Sequence, residues 1–568
     1  MRLRSLGAVL DGIPCRVYRQ SADARISVDN RSGSTDSLVD WSQPVAGVTA
    51  DSREVRPGWV FLAVQGSRFD GNLFIPAALR AGAVAVLTDK EAAVPRTEAV
   101  EVAASEGRIL VVPDIRWAVA RAAANFYGHP GRELTVAGVT GTLGKTSVSH
   151  ILYSILQEDP SHRPPGLIGS LGIRYCDLHI PSPLTTPDAV TLQRSLAEMN
   201  AAGVRVAVME VSSHGQLQRR VDEIPFRLGV FLNLVAGEHA DVHPDFDSYV
   251  RVKARFLQEL APGAVLVFNH DDPKVRELVL GEWRSPDPDR GQLVFSSWRP
   301  LGYSAGLEAT ASQTRGKTMW AAENGRRSAA SPSLLKVRGL QLSLDGSRFT
   351  IRSGAPLPQV GGGERPPVHM ECQLSLLGAH NVANALAAIA AALALGVPES
   401  VITGVLPYLK PFRRRMELIY RGEFSVLDDT TGHPQSFVAL FSTVQLLQPR
   451  RLVLLTAPRG NRGLDINRAN AATIAAWYGR LPLAPLLVTA AWDRADPANR
   501  ATEEEVAVFR EELVREGVPH AFYPDLETAL TAALQQVEAG DLLVIAGTQA
   551  LDSAAELLRE TIGVPPRR

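Results

Sequence analysis

The ten residues Gly138-Val139-Thr140-Gly141-Thr142-Leu143-Gly144-Lys145-Thr146-Ser147 combine glycines, a lysine and hydroxyls at a spacing suited to a polyphosphate. Glycine lets the chain turn tightly enough for successive N–H groups to face an anion. A helix starting there adds the positive end of its dipole. Lys145 is spaced to reach the terminal phosphates and the Thr146 hydroxyl to bind magnesium, while Gly141, Thr142, Gly144 and Ser147 complete the cradle. The generic pattern wants a glycine six residues before the lysine; Val139 stands there, flanked by Gly138 and Gly141. The plain alternative is an ordinary glycine turn between strand and helix, and Gly-Lys-Thr-Ser in that context weighs against it. Kinases, GTPases, motors and ligases all use such a loop, so it implies a nucleoside triphosphate and no particular reaction. A guanine-reading Asn-Lys-x-Asp sequence is absent, which disfavours a GTPase.

The elements that must hold this loop follow from periodicity. Leu134 to Val139 reads as a buried strand leading into the loop. The helix beginning near Lys145 carries Val148, Ile151, Leu152 and Ile155 on one face. Upstream, strand-like Val60 to Val64 and Ala83 to Leu87 flank a helical Phe74 to Ala81, an α/β alternation. Downstream come strands at Val204 to Val208, Phe226 to Asn233 and Ala264 to Asn269, a helix over Tyr249 to Leu260, and an alanine-rich helix Asn381 to Leu395. From about 290 to 367 the sequence is rich in Ser, Gly, Arg and Pro; it reads as an insertion or elaborated edge, partly mobile, with one hairpin around Leu340 to Ile351. Strands at Phe424 to Leu427, Arg451 to Thr456, Pro485 to Thr489 and Asp541 to Ala546 alternate with helices, predicting an open parallel sheet covered on both faces. The expected fold is α/β in three domains, at 1–132, 133–413 (with the insertion) and 414–568.

Composition limits the alternatives. Across 568 residues, 59 basic and 60 acidic side chains nearly cancel, so no global attraction to nucleic acid or an anionic membrane is expected. Three scattered cysteines, Cys15, Cys176 and Cys372, suit a reducing compartment rather than a disulfide framework. The apolar run after Met1 is broken by Asp11 and Arg16, too early for a signal peptide. No stretch approaches the ~18 apolar residues of a membrane span. The expectation is a cytoplasmic, soluble monomer.

The displaced glycines of Thr140-Gly141-Thr142-Leu143-Gly144-Lys145-Thr146 resemble the variant phosphate loop of the Mur ligases. Other stretches are similar to the branch that adds the third residue to a UDP-N-acetylmuramoyl-dipeptide, the MurE-type enzymes. Asp51-Ser52-Arg53, Pro57-Gly58, Gly66 and Asp70-Gly71 look like that branch's UDP-sugar domain. Then follow, in family order, Thr185-Thr186-Pro187-Asp188, Met209-Glu210-Val211-Ser212-Ser213-His214 with Gln218 and Arg220, and Glu238-His239-Ala240-Asp241-Val242-His243 with Tyr249 and Lys253. Gly378-Ala379-His380-Asn381-Val382-Ala383-Asn384 and Arg415-Met416-Glu417 close the series.

The resemblance implies a small α/β UDP-sugar-binding domain, a central phosphate-loop mononucleotide domain with a parallel sheet, and a C-terminal Rossmann-like domain. It implies ATP and Mg2+, a UDP-muramoyl-peptide substrate, a free amino acid and an acyl-phosphate route to an amide. Lys145, Glu210, His239 and Lys253 are the implied catalytic set. Thr146, Glu210, His239 and Lys253 (as a carbamate) are the implied metal positions. Glu210 ends an apolar strand, which would aim its carboxylate at the phosphates; a surface strand-end residue or helix cap is the alternative. For His239 the alternative is a local hydrogen bond, and for Lys253 a solvated lysine, although its spacing from Tyr249 puts both on one helix face. Asn381, Asn384 and Arg415 would lie at the nucleotide, with helix capping the alternative for Asn384. Ser52, Thr185, Thr186, Ser212, Gln218 and Arg220 would hold the UDP-muramoyl-peptide, or else provide loop and cap polarity.

The third domain departs from the pattern. The family's Asp-Tyr-Ala-His-Thr-Pro becomes Asp428-Asp429-Thr430-Thr431-Gly432-His433-Pro434, one residue longer, and its Gly-Asp-Arg-Asp is echoed by Arg459-Gly460-Asn461-Arg462-Gly463. The diaminopimelate-reading Asp-Asn-Pro-Arg is Ala491-Trp492-Asp493-Arg494, and Gly-Lys-Gly-His-Glu is Gly547-Thr548-Gln549-Ala550-Leu551. A site that binds a distal carboxylate needs matched donors, so these losses leave diaminopimelate unsupported as the substrate. Arg494 could hold the α-carboxylate by a bidentate pair, or be a surface arginine. A nucleotide-binding scaffold or regulator that kept the fold without ligation is the competing functional class.

Overall fold

The computed structural model describes residues 3–18, 27–28, 38–66, 69–236, 245–281, 299–305, 333–497 and 499–562. Among these the central sheet has 11 strands, and its middle is parallel. Thr135–Thr140 lies between Val206–Val211 and Phe226–Phe231, pairing in parallel with both. This follows from composition: both flanking strands carry β-branched or aromatic residues at half their positions and are buried along nearly their whole length, as strands covered on two faces must be. Alternate residues serve opposite cores. Ala137, Val139, Val206 and Val208 face one apolar cluster, while Val136, Ala207, Met209 and Val211 face the other.

The helix Lys145–Glu158 packs on the first of these faces beside Ala379–Ala394, and its predicted apolar stripe of Val148, Ile151, Leu152 and Ile155 is fully buried. The strand Leu260–Asn269 begins earlier than periodicity suggests, because Leu260 already pairs with Phe226. The predicted helix over Tyr249 to Leu260 accordingly runs as Phe246–Ala254 followed by a 3₁₀ turn, Arg255–Gln258.

The segment read as an insertion carries sheet. Arg299–Ser304 and Ser333–Ser343 continue the parallel run, and the predicted hairpin forms between Ser333–Ser343 and Gly346–Ser353, with His369–Leu374 at the edge. Residues 306–332 of that segment lie outside the described residues.

Two six-stranded sheets flank the central one. The first runs Ser27–Val28, Cys15–Val17, Ile109–Val111, Ala85–Thr88, Trp59–Leu62, Gly47–Thr49. The last runs Glu417–Arg421, Ser425–Asp429, Leu542–Ala546, Leu452–Thr456, Leu486–Thr489, His520–Tyr523. It is parallel except at Glu417–Arg421, an antiparallel edge where a wholly parallel sheet was expected. Apolar clusters cover both of its faces. No helix among the described residues is long and apolar enough to cross a membrane.

Candidate functional site

The phosphate loop leaves the carboxyl end of Thr135–Thr140, at the position where open α/β sheets build ligand sites. Gly138 is not part of the turn. It sits within the strand, where a Cβ would come 2.7 Å from the rings of Phe226 and Phe256, so packing demands it. The turn falls to Gly141 and Gly144. Gly144 has φ +88 and opens the helix, and a Cβ there would meet Asn384 Oδ1 at 2.5 Å. The displaced glycine thus has a structural meaning, since the turn begins at Gly141, two residues later than the generic spacing suggests.

Neighbouring strand ends clamp the loop. Leu143 N–H donates to Asn233 Oδ1 at 2.8 Å and Asn233 Nδ2 donates back to the Leu143 carbonyl at 3.0 Å, a two-way clasp on one peptide unit. Thr142 Oγ1 lies 2.8 Å from the Tyr249 hydroxyl and accepts from Val235 N–H at 2.9 Å. Lys145 Nζ folds over the loop, donating to the carbonyls of Gly141 at 3.0 Å and Thr142 at 2.9 Å. Asn233 escaped the sequence reading of the site; the available signal was its place just past a buried strand adjacent to the loop.

Glu210 is fully buried near the end of Val206–Val211. Its carboxylate accepts from Thr146 Oγ1 at 2.9 Å, Ser170 N–H at 2.8 Å and Ser170 Oγ at 3.3 Å. Burial raises the Glu210 carboxyl above its ordinary value; the Ser170 amide, the Lys145 charge and the two hydroxyls pull the other way. Ser170, whose Oγ also lies 3.0 Å from Thr185 Oγ1, is a second residue that sequence reasoning missed. Carboxylate and hydroxyl oxygens converging at a phosphate loop are the hard donors magnesium prefers, so Thr146 and Glu210 fit that ion. Among the described residues no three His, Cys, Asp or Glu side chains cluster as a closed metal cage.

A cleft of about 480 Å³ joins this loop to the last sheet. From the predicted set it gathers Thr142, Gly144, Lys145, Thr146, Ser147, Thr185, Glu210, Asn381, Asn384 and Arg415. Its far wall consists of Asp429, His433, Arg459, Thr548 and Gln549, drawn from three of the altered motifs. Asn381 Nδ2 donates to the Leu377 carbonyl at 2.7 Å, and Asn384 Nδ2 lies 3.3 Å from Asn381 Oδ1. His380 faces the same space, its basicity lowered by burial against the opposing pull of Asp429.

Other predicted residues lie elsewhere. Thr186 is buried, its hydroxyl donating to the Glu210 carbonyl and accepting from Ser212 N–H, while Ser212 caps the helix Ser213–Leu217. Arg220 donates to Gln218 Oε1 and to the Thr186 carbonyl, and burial lowers its pKa. Ser52 lies in a turn after Gly47–Thr49, between an ion-paired Asp51 and Arg53. Arg494 pairs with Asp493 at 3.3 Å and does not line the cleft. Lys253 is 1% exposed, with Nζ 5.5 Å from the centre of the Tyr249 ring, which bears out their shared helix face. His239 lies outside the described residues.

Two long-range devices fix the far wall. Arg414 is buried with φ +57. Its guanidinium binds Asp428 at 3.1 Å, the Thr548 carbonyl at 2.8 Å and the Gly547 carbonyl at 2.6 Å. Burial outweighs this pairing for Asp428, whose carboxyl is pushed up to about 6. The buried Glu505 carboxylate accepts backbone N–H groups of Asn461, Arg462, Gly463 and Thr502 at 2.9–3.0 Å. This holds the loop that carries Arg459.

Three family descriptions match in chain order: Mur ligase family, catalytic domain, over residues 44–127; Mur ligase middle domain over 139–283; and Mur ligase, glutamate ligase domain, over 414–549. Among curated relatives, the UDP-N-acetylmuramoyl-L-alanyl-D-glutamate--2,6-diaminopimelate ligase of Alkalilimnicola ehrlichii is 32% identical, the match covering 89% of this chain and 90% of that one. The enzyme of the same name from Gloeobacter violaceus is 30% identical over 89% and 88% of the two chains. A solved structure of such a ligase superposes with a TM-score of 0.59 at 22% identity, covering 99% of this chain and 100% of that one. The MurF ligase of Thermotoga maritima, solved with ADP, gives 0.56 at 18% identity, covering 90% and 96%. The two structures show a shared three-domain fold.

Proposed function

The chain belongs to the Mur ligase family, and from that premise we propose that it joins an amino acid to a UDP-N-acetylmuramoyl-peptide, forming ADP, in peptidoglycan precursor synthesis. The observation that carries this reading is the single cleft in which Lys145, Thr146 and Glu210 face Arg415, His433, Arg459 and Thr548.

In this reaction the peptide's carboxylate attacks the terminal phosphorus of ATP, releasing ADP and leaving an acyl phosphate. The amine then attacks the acyl carbon and expels phosphate. Positioning and charge neutralisation account for most of the rate. Lys145, already donating to two carbonyls of the loop, exchanges them for phosphate oxygens. Thr146 and Glu210 would hold one magnesium ion, and Lys253 as a carbamate with His239 would serve a second. When bound, such ions neutralise charge on the transferred phosphoryl group. Asn381, Asn384 and Arg415 take the nucleotide's other end. Thr185, with Thr186, Ser212, Gln218 and Arg220 behind it and Ser52 at the sugar nucleotide, serves the muramoyl-peptide. Residues 1–132, 133–413 and 414–568 then divide the work between UDP-sugar, ATP and amino acid.

For the amino acid's α-carboxylate, Arg459 is a stronger candidate than Arg494. It lines the cleft, and one Nη donates to the Gly432 carbonyl at 3.1 Å, which orients the guanidinium. The test is an ADP-release screen of amino acids against UDP-N-acetylmuramoyl-dipeptide. Release that requires ATP, the carboxylate and one amino acid together supports the reading; release from ATP alone, unchanged by both other substrates, defeats it.

A further inference from the structure

A second cavity, of about 650 Å³, opens on the same helix as the phosphate loop but shares no lining residue with the nucleotide cleft. It lies between Lys145–Glu158, the helix Glu399–Val405 and the 409–413 linker that leads into the last sheet. Three features set it apart from a packing defect. First, His150 is 95% buried, being 5% exposed, and its Nε2 has no hydrogen-bond partner among the described residues. A buried polar atom left in that state is costly unless something completes it. Second, the buried Nε of Arg174 on the same wall is likewise without a partner, and Lys410 adds another cation at the linker. Third, the end of the cavity at the linker is aromatic and apolar, while Ser154, Gln157, Glu158 and Ser400 line the rest. The Phe412 ring meets His150 edge-on at 4.9 Å, and Tyr408, 82% exposed, stands at the rim. Gly404 leaves its side of the cavity open, since a Cβ there would meet nothing within 4 Å.

Two cations and an unsatisfied imidazole over an aromatic wall select for charge and for flatness at once. A guanidinium N–H without an acceptor calls for an anionic oxygen, and ring faces favour a planar apolar body. The imidazole is neutral at ordinary pH, because burial and then the Arg174 charge hold its pKa down at about 4; it therefore contributes a hydrogen bond and no charge. We propose that this cavity is a binding site for a small planar organic anion, an aromatic carboxylate, whose oxygens engage Arg174 and Lys410 while its ring packs against Phe412 and the His150 edge. The site adjoins the joint between the central and last sheets and stands apart from the ligase chemistry, so it does not depend on the function proposed above.

Calorimetric titration of the full chain with 1-naphthoate, and with uncharged 1-naphthamide, tests this. The expected result is one saturable naphthoate site, unaffected by saturating ADP, with the amide bound about tenfold more weakly or worse. Arg174→Gln should weaken naphthoate by a similar factor. Gly404→Phe, which projects a ring into open space, should abolish binding, while Gly404→Ala should leave it intact. Both glycine variants should keep ADP binding, which reports their folding. Equal affinity for acid and amide, displacement by ADP, unchanged binding in Gly404→Phe, or no binding at millimolar naphthoate would each overturn the proposal.

Discussion

Replacing Glu210 by glutamine separates a metal-binding carboxylate from a structural hydrogen-bond acceptor, because the two roles predict opposite changes. The side chain is fully buried and accepts from Thr146, Ser170 N–H and Ser170 Oγ. Glutamine keeps the shape, its carbonyl can still accept from Ser170 N–H, and its NH2 can donate to hydroxyls that rotate to accept. What disappears is the charge. Burial raises the Glu210 carboxyl above its ordinary 4.5, so the folded chain holds that proton more tightly than the unfolded chain does. Stability linked to this group is therefore greatest at low pH and falls as pH climbs above 4.5 toward the folded value.

Without nucleotide and magnesium, Glu210→Gln should consequently be more stable at pH 7.5 by about 1 kcal/mol, since a buried charge that its partners only partly compensate has been removed. Its melting temperature should rise by roughly 2 °C, and the gain should vanish near pH 4. If the carboxylate binds the ion that neutralises the phosphates, the same variant should lose about 10³-fold in kcat/KM, or ~4 kcal/mol of transition-state stabilisation. Differential scanning fluorimetry across pH, paired with coupled ADP release, reads both quantities. A variant less stable than the parent in the absence of ligands, with turnover kept within about tenfold, would refute the reasoning and return Glu210 to a structural role.

Four further outcomes follow. Lys145→Met should weaken ADP binding by roughly 100-fold, because the cation that would meet the phosphate oxygens is lost while the loop keeps its clasp on Asn233; calorimetry with ADP checks this. Gly144→Ala should cost about 1–3 kcal/mol by denaturant titration and should also impair ADP binding, since φ is +88 and the new Cβ meets Asn384 Oδ1 at 2.5 Å. Glu505→Ala leaves four backbone N–H groups without their acceptor and should destabilise the chain by about 2–4 kcal/mol; in the protein that remains folded, KM for the amino acid should rise more than KM for ATP. Burial, reinforced by Asp222, pushes the Glu259 carboxyl up to about 8, so stability should fall as pH rises from 4.5 through 8, and Glu259→Gln should flatten that decline in urea titrations at pH 6 and 9.

The half of the cleft that handles phosphate was legible because its determinants are local. Gly141, Gly144, Lys145 and Thr146 fall within six residues, and the buried stripe of their helix repeats at helical spacing. Glu210 was found through its place at the end of an apolar strand and the family resemblance, and strand register does set it beside the loop, where Glu210 pairs with Val139. Asn233 and Ser170 were missed because each acts through bonds to a residue about 90 or 40 positions away, which leaves no periodic trace. The strand at 299–304 was hidden for a related reason: it pairs parallel to partners about 30 positions away on either side and lacks the alternation that marks a half-exposed strand. Sequence also counted Gly138 among the glycines of the phosphate segment, whereas its absent side chain accommodates Phe226 and Phe256.

The same contrast bears on how substrate choice can change without loss of the chemistry. The far wall is set by Arg414, which reaches Gly547 and Thr548 more than 130 positions away, and by Glu505, which holds the loop at 461–463. Neither group touches the phosphate loop, and the clearest polar link between the two walls is His433 Nε2 at 3.0 Å from the Ala236 carbonyl. Substitutions at Arg459, Thr548 or Gln549 therefore alter what the cleft accepts while the clasp of Asn233 on Leu143 and the Thr146–Glu210 contact stay intact. A distal carboxylate would need donors that the altered motifs at 491–494 and 547–551 no longer supply, and the cost of missing them falls on recognition rather than on phosphoryl transfer. An ATP half kept whole beside a rewritten amino-acid half is the arrangement expected of a ligase whose incoming substrate differs from that of its diaminopimelate-adding relatives, and it predicts that changes at the far wall shift amino-acid preference before they lower the rate of ADP release.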